Sequence, residues 1–522
     1  MKNTKLWKKA DASILEHETD FLENPVQSKP DSEAFDVRYG QQESLRNVLV
    51  ERIRSGKIGI SVFGAGYVGL PTAALLADAG FTVSAVDIKP STVESIARGR
   101  SSINEPGLAE MISRNVKRGR LNAELLPNAT LNAKDVIIIT VQTPITKDNR
   151  PDLSFLMRAA EAIGPALRKG MLVAVCSTVP PGTLRKKVKP LLESLSDLKA
   201  DSEFYLAYVP ERLAPGKTLT EFVESPRLVG GIGPNSTKVA AELFRKVCHN
   251  VVETDATTAE ISKTAENTFR DINIAFANQL ALICEQHGAD IAEVIAAANT
   301  HPRVKIHVPG PGVGGPCLTK DPYLLIHEAK TEGKDVVTAA REVNCSMPHH
   351  VVCMILRGLK HAGKSVENSR VAVLGAAYKA NVDDARASPA EPIVKELVGM
   401  HADVVVFDPH CTATFGAKEA PSLSEAVAGS DCMAILTDHA EFANLPLQKI
   451  GKLMNRDPIV VDGKRMVDPK KAEATGFVYY GIGYGKHRFA RSDEPVALQS
   501  ASFYLTETPS ALTQHVSSKT SP

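Results

Sequence analysis

A short apolar strand that runs straight into three spaced glycines constrains this chain more than any other feature. "KIGISVFGAGYVG" (57–69) sets Gly64, Gly66 and Gly69 in the spacing G-x-G-x-x-G, and "LPTAALLADAG" continues as a compact helical stretch ending at Gly80. The first glycine permits a tight turn, the second lets backbone approach a pyrophosphate, and the third lets the helix lie close on the strand. The helix N-terminus then offers its free N–H groups to phosphate. "FTVSAVD" (81–87) reads as the next strand, and Asp87 at its end stands where a carboxylate can accept bonds from a ribose hydroxyl. The expected cofactor is NAD, with acidic Asp87 favouring it over NADP.

Strands and helices keep alternating after that turn. Apolar runs at 135–141, 172–178 and 204–211 read as strands, and "RLVGGI" (227–232) closes the series. Such alternation predicts a parallel, doubly wound sheet. The texture changes near Thr254: residues 257–298 have helical periodicity with no Gly or Pro before Gly288, which predicts a long helix and then a short one. A strand–loop–helix pattern returns at 369–389, with strands at 402–409, 432–437 and 458–464. The fold class is therefore α/β, with two Rossmann-like doubly wound domains joined by a long central helix. The expected units are 1–56, a partly disordered extension with one helix around 42–55; 57–253, the NAD-binding domain; 254–364, a central helical domain; 365–490, a second α/β domain; and 491–522, a disordered Ser/Thr/Pro-rich tail.

Composition narrows the function classes. The chain has 522 residues, 43% hydrophobic and 23% charged, with a formal net charge of +1, so no global attraction to nucleic acid is implied. No apolar run reaches the roughly 18 residues of a membrane helix. The N-terminus lacks the apolar segment of a secretory signal, so a cytoplasmic protein is expected. Its 8 cysteines form no C-x-x-C pair, and no His/Cys/Asp cluster has metal-ligand spacing, so no metal is expected. Most cysteines in such a chain are small buried hydrophobes. Cys317 stands apart, because "GPGVGGPCLTKDPY" (310–323) places it behind four glycines and before Lys320 and Asp321.

Other polar residues gather at strand ends, where open α/β sheets bind ligands. "STVPPGT" (177–183) puts Thr178 at one such edge, and "VPERLAPGKT" (209–218) puts Glu211 and Arg212 at the next. "SKTAENTFRD" (262–271) spaces Lys263, Asn267 and Arg270 at i, i+4, i+7 on the long helix. His301 and Arg303 follow in "NTHPRVKI". The second α/β unit opens with "GAAYK" (375–379), which lacks the second and third glycines. A second dinucleotide is not expected there; a phosphate-bearing substrate approached by Lys379 is.

Taken in order, "GAGYVGLPTAALLADAG", "VQTP", "STVPPGT", "PERLAPGKT", "ENTFRDINIAFANQL", "HPRV", "GPGVGGPCLTKDPY" and "YKANVDDARASP" resemble the nucleotide-sugar 6-dehydrogenases, the family of UDP-glucose and GDP-mannose dehydrogenases. The resemblance covers roughly 57–486. It implies a four-electron oxidation of a sugar C6 alcohol to a carboxylate with reduction of two NAD. Cys317 matches the family's nucleophile, and Lys263 the lysine that stabilises the developing alkoxide. Asp321 and Asn267 match groups that orient the lysine and water, Glu211 an acid that assists hydrolysis, and Thr178 a holder of water and cofactor. Cofactor contacts carry over to Tyr67, Val68, Asp87, Thr143, Thr178 and, from the C-terminal domain, Arg386. Nucleotide-sugar contacts carry over to Arg212, Lys263, Asn267, Arg270, His301, Arg303, Gly314, Tyr378, Lys379 and Lys464. The resemblance also implies a homodimer or higher homo-oligomer built on the long helix, with Arg270 crossing to the neighbour's site. Val313 before the glycine pair, "PERLAPG" and "HPRV" resemble the branch acting on UDP-N-acetylhexosamines. UDP-N-acetylmannosamine is favoured, then UDP-N-acetylglucosamine, then UDP-glucose. A two-electron dehydrogenase of the 3-hydroxyacid type would use Lys263 and Asn267 without needing Cys317.

Overall fold

The structure is a computed structural model that describes residues 45–486, apart from 127–130, 132, 214–215 and 330–334. The helix expected around 42–55 is found over 45–54; the arm before it and the tail after 486 lie outside the described residues.

The first sheet has eight strands: β1 (Gly59–Phe63), β2 (Thr82–Asp87), β3 (Leu121–Leu125), β4 (Val136–Ile139), β5 (Leu172–Val175), β6 (Tyr205–Tyr208), β7 (Arg227–Gly231) and β8 (Val251–Asp255). Their spatial order is β3-β2-β1-β4-β5-β6-β7-β8. All neighbours run parallel except β6 and β7, which are antiparallel. The expectation of a wholly parallel sheet closed by β7 is thus corrected twice. The chain turns back into β7, and β8 then lies parallel to it. Strands β4, β5 and β6 are buried throughout, as parallel strands covered on both faces must be. Ile60, Val62 and Ile138 pack into one face, while Phe63, Ile137 and Ile139 pack into the other.

The second sheet has six parallel strands: β9 (Arg370–Leu374), β10 (Asp403–Phe407), β11 (Lys418–Glu419), β12 (Cys432–Ile435), β13 (Ile459–Asp462) and β14 (Val478–Gly481). Their order is β11-β10-β9-β12-β13-β14, the same winding as the first six strands of the other sheet. In each sheet the order reverses beside the first strand, which leaves a crevice at the carboxyl ends of the strands.

Between the sheets lies the helix Ala256–His287, 32 residues and about 48 Å long at 1.5 Å per residue. The Asp255 side chain caps it by accepting from Thr257 N at 2.9 Å and Thr258 N at 3.1 Å, and Gly288 in the left-handed region ends it. A second long helix, Val336–His361, packs along it with Pro348 inside; the helical domain expected over 254–364 did not single it out. A buried polar network joins the two. Arg341 Nη1 meets Asp271 Oδ1 at 2.8 Å, Asn344 donates to the same oxygen at 2.8 Å, and Asn278 donates to Asn344 at 2.9 Å. Gly310 N donates to Asn278 at 2.9 Å, so this network also fixes the start of the cysteine loop. At the far end Arg465 grips Asp290 through two bonds, of 2.8 and 2.9 Å, and ties the second sheet to the central helices. Among the described residues no helix is long and apolar enough to cross a membrane.

Candidate active site

The cofactor half is built at the end of β1. Gly64 holds a positive φ of 93°, and Ala65 N donates to Asp87 Oδ2 at 2.8 Å while Lys89 N donates to Oδ1 at 2.9 Å. The Asp87 carboxylate is thereby aimed across the turn. A Cβ on Gly69 would lie 1.8 Å from the Gly64 carbonyl, so only glycine lets the helix pack here. A Cβ on Gly66 would meet nothing within 4 Å, so the space it faces is free for a ligand. Val68 caps the helix Gly69–Asp78, and Tyr67 is 42% exposed beside it. The Arg386 guanidinium lies 5.6 Å over the Tyr67 ring, so the second domain reaches the cofactor turn. Asp384 holds that guanidinium from behind, with contacts of 2.6 to 3.0 Å. Thr143 Oγ1 donates to Thr178 O at 2.5 Å, joining the ends of two adjacent strand loops. Gly66 with its open approach, Asp87, Thr143 and Arg386 form a donor and acceptor set that suits a dinucleotide.

The catalytic half sits where the long helix passes the ends of β6 and the cysteine loop. Lys263 is buried and pairs with Glu211 Oε1 at 3.4 Å; Glu211 also accepts from Leu213 N at 2.8 Å. One turn on, Asn267 donates to Asp321 Oδ2 at 2.6 Å, and Lys320 meets Asp321 Oδ1 at 3.0 Å. Asp321 N in turn donates to the Cys317 carbonyl at 2.8 Å, so the turn that carries the cysteine is pinned to the helix Asp321–Ile326. Burial alone would lower the Lys263 amine, but Glu211, Asp321 and Cys317 together hold it above its ordinary value. It is an ammonium at neutral pH. The protein packed around Cys317 pushes its thiol up, and Asp321 and Glu211 push the same way; Lys263 and Lys320 pull against them. The residue keeps exposed surface all the same. The neighbouring lysines therefore do not yield a resting thiolate, because burial and two carboxylates oppose them.

The glycine pair of the loop is required by the fold. A Cβ on Gly314 would lie 2.8 Å from both Ala387 O and Pro389 Cδ, and one on Gly315 would lie 2.6 Å from the Tyr378 ring. The second domain, not a ligand, fills those positions. Gly315 N donates to Arg386 O at 3.2 Å, so the same loop segment that carries Tyr378 and Arg386 clamps the cysteine turn.

The remaining expected contacts divide into two groups. Arg212 forms a two-bond pair with Glu266, and Lys464 sits 3.3 Å from Asp438 with its amine beside Gly310. Lys379 is exposed at the end of β9. Arg270, His301 and Arg303 are exposed and are not brought to the Cys317 cleft within this chain. The i, i+7 spacing aligns Arg270 with Lys263, but Arg270 lies on the exposed side of the helix, while its neighbour Asp271 turns inward to the second long helix.

Several residues were missed. Glu260, one turn before Lys263, is fully buried and accepts from Gly182 N at 2.6 Å and Leu184 N at 2.9 Å, holding the loop that carries Thr178. An acid on the inner face of a mostly apolar helix was the available signal. Asp408 directly follows β10, at the place where Asp87 ends β2, and that parallel was also readable. Among the described residues one group of metal-ligand types comes together, His410, His439 and Glu441, with ligand atoms within 4.8 Å. His439 Nδ1 accepts from Asn381 N at 3.0 Å and Nε2 faces Asp408 at 3.0 Å, so neither ring nitrogen is free for an ion.

Known proteins share this plan. Residues 58–248 match the NAD binding domain of the UDP-glucose/GDP-mannose dehydrogenase family, 257–346 its central domain and 372–469 its UDP binding domain. A UDP-N-acetyl-D-mannosamine dehydrogenase of Pyrococcus horikoshii is 40% identical over 427 residues, 82% of this chain and 99% of that protein. The solved UDP-D-ManNAc dehydrogenase structure from the same organism superposes with a TM-score of 0.77 at 38% identity, covering 82% of this chain and 100% of that one. An NDP-N-acetyl-D-galactosaminuronic acid dehydrogenase of Methanosarcina mazei Go1 gives 0.75 at 36% identity, covering 85% and 98%. The chain belongs to the UDP-glucose/GDP-mannose dehydrogenase family and is an NAD-dependent nucleotide-sugar 6-dehydrogenase.

Proposed function

We propose that the protein oxidises C6 of a UDP-N-acetylhexosamine, UDP-N-acetylmannosamine first, to the uronic acid through covalent intermediates on Cys317. One observation carries this: a cysteine, a buried ammonium and two carboxylates converge on the cleft between the two sheets. In this scheme residues 57–253 bind NAD, 254–364 carry the cysteine loop and the oligomer contact, and 365–490 bind the nucleotide. NAD, held by residues such as Gly66, Asp87, Thr143 and Arg386, would supply the hydride acceptor for each of two oxidations at C6. In the first oxidation the C6 hydroxyl proton passes to the Glu211 carboxylate while the Lys263 ammonium stabilises the alkoxide. The Cys317 sulfur then adds to the aldehyde carbon as its proton passes to the carboxylates, and the Lys263 ammonium faces the resulting oxyanion. Covalent attachment keeps that carbon tetrahedral, so a second hydride can leave and a thioester forms. Water held by Asn267, Asp321 and Thr178 attacks the thioester with Glu211 assisting, and the thiol is released. Arg212, Tyr378, Lys379 and Lys464 hold the nucleotide sugar.

The preference for an N-acetylmannosamine rests on Val313 and on the names carried by the relatives. Phe269 and Phe276, 65% and 51% exposed, share one face of the long helix with Ile261 and Ile283. A second copy covers that stripe, and Arg270, His301 and Arg303 serve the neighbouring site. The test is NADH release from a panel of UDP and GDP sugars. Two NADH per UDP-N-acetylmannosamine is the expected result. One NADH per sugar would sink the four-electron scheme, and faster turnover of UDP-glucose would sink the substrate.

A further inference from the structure

The loop 378–386 carries Tyr378, Lys379 and Arg386, yet almost nothing in it is regular secondary structure. It therefore needs an anchor. Asn381 holds a positive φ of 58°, and its N–H donates to His439 Nδ1 at 3.0 Å, while its Oδ1 accepts from Ala440 N at 2.9 Å. Because Nδ1 accepts, the proton of the neutral ring is on Nε2, which donates to Asp408 Oδ2 at 3.0 Å. Neither the His439 nor the Asp408 side chain has exposed surface. His410 stacks on the His439 ring at 4.8 Å and Phe442 meets it edge-on at 5.5 Å, so the imidazole cannot turn. Burial alone would raise the Asp408 carboxyl, but the bond from His439 and the N–H groups of Ala377, His410 and Ala376 hold it well below the usual carboxylate range. Thr437 adds a bond of 2.7 Å to Ala377 O from the same segment.

We infer that His439 is a positioning residue for the nucleotide-sugar site: bridging Asp408 and the Asn381 N–H, it fixes the loop that presents Tyr378, Lys379 and Arg386. It touches no reacting atom and acts only through that loop. The inference rests on the nucleotide-sugar reading for its kinetic consequence, though not for the lock itself.

Three variants of the full chain test it. His439→Phe keeps the ring between His410 and Phe442 and removes both polar bonds. His439→Leu removes ring and bonds, and His439→Gln restores one acceptor and one donor on a single planar group. Loss of a buried hydrogen bond on this scale corresponds to about a tenfold change. The Phe variant should raise KM for the nucleotide sugar and weaken UDP binding by about tenfold, with kcat within about threefold of the parent. Gln should recover most of the loss. Hydrogen exchange of the peptide spanning 378–386 should quicken about tenfold in the Phe and Leu variants and stay near the parent with Gln. Unchanged exchange in the Phe variant overturns the lock, and so does a Gln variant no better than Phe. If the parent binds no UDP and oxidises no nucleotide sugar, the functional reading has failed, and exchange alone decides the lock. If the Leu variant does not fold, Phe and Gln still give the comparison.

Discussion

Gly64 and Gly375 each follow the first strand of a sheet wound in the same order, and both hold a positive φ, 93° and 96°. Beyond that the two turns differ. After Gly64 the chain leaves the space at Gly66 open, and Asp87 takes one turn N–H on each oxygen. After Gly375 the counterpart of Gly66 is Ala377, whose side chain is buried, and a Cβ on Gly375 itself would lie 2.5 Å from Thr437. Asp408 then takes Ala376 N, Ala377 N and His439 on one oxygen and His410 N and Cys411 N on the other. No capacity is left for a ribose. The same carboxylate, at the same point of the winding, keeps spare acceptor capacity in one sheet and is a knot in the other. A fold repeated within a chain can thus be spent once on a cofactor and once on rigidity.

The largest effect should come from the loop that both units grip. Cys317→Ser should cut acid formation by at least about 10³-fold, with NAD affinity unchanged, because serine keeps the backbone turn that meets Arg386 and the glycine turn lies in the first unit. Turnover close to the parent would remove Cys317 from the chemistry. Next comes the paired glycine test. Gly66→Ala has room in the protein, so its melting temperature should hold while NAD binding weakens about tenfold or more. Gly375→Ala meets Thr437 at a positive φ, and should lower the melting temperature by several degrees with little direct effect on NAD. Equal loss of stability in both would erase the contrast. Smaller again is the carboxylate pair. Asp87→Asn should raise KM for NAD several-fold, whereas Asp408→Asn should cost about 2–3 kcal/mol of stability by denaturant titration. If Asp408→Asn instead changed only cofactor affinity, the knot would be misassigned.

Much of this contrast was legible in the sequence, and the gaps follow a physical rule. The four strands that pattern alone did not give, β3, β8, β11 and β14, are the four outer strands of the two sheets. An edge strand buries less, so "LNAEL" and "VVETD" carry no apolar run to notice. The inner strands, buried on both faces, could hardly be missed. Cys317, Lys263, Asn267, Asp321 and Glu211 were placed by motif and do meet at one cleft. Their net electrostatics were not legible, because the direction at Cys317 depends first on burial and then on two carboxylates set against two lysines. The role of Gly314 and Gly315 was hidden for a similar reason. Tyr378 and Pro389 press on them from more than sixty residues away in sequence, a contact that only the folded chain makes.

The smallest expected effect on turnover lies at Glu260, where the first unit meets the long helix. Burial is the main reason its carboxyl is pushed up to about 7 from 4.5; the N–H groups of Leu184 and Gly182 and the Arg185 charge oppose it, and Asp255 adds to it. Tyr208, buried and close by, brings no charge at neutral pH. Between pH 4.5 and about 7 the folded chain therefore holds a proton on Glu260 that the unfolded chain has released. Stability from this group is full below pH 4.5 and is lost as pH rises through about 7. The whole shift corresponds to at most about 3 kcal/mol. Glu260→Gln is neutral at every pH, so its melting temperature should vary less than the parent's from pH 5 to 8 while Thr178 and the NAD turn stay in place. Thermal melts of the two proteins across that range decide it: parallel curves would mean that the carboxyl is ionised throughout, and that its bonds to Gly182 and Leu184 outweigh its burial.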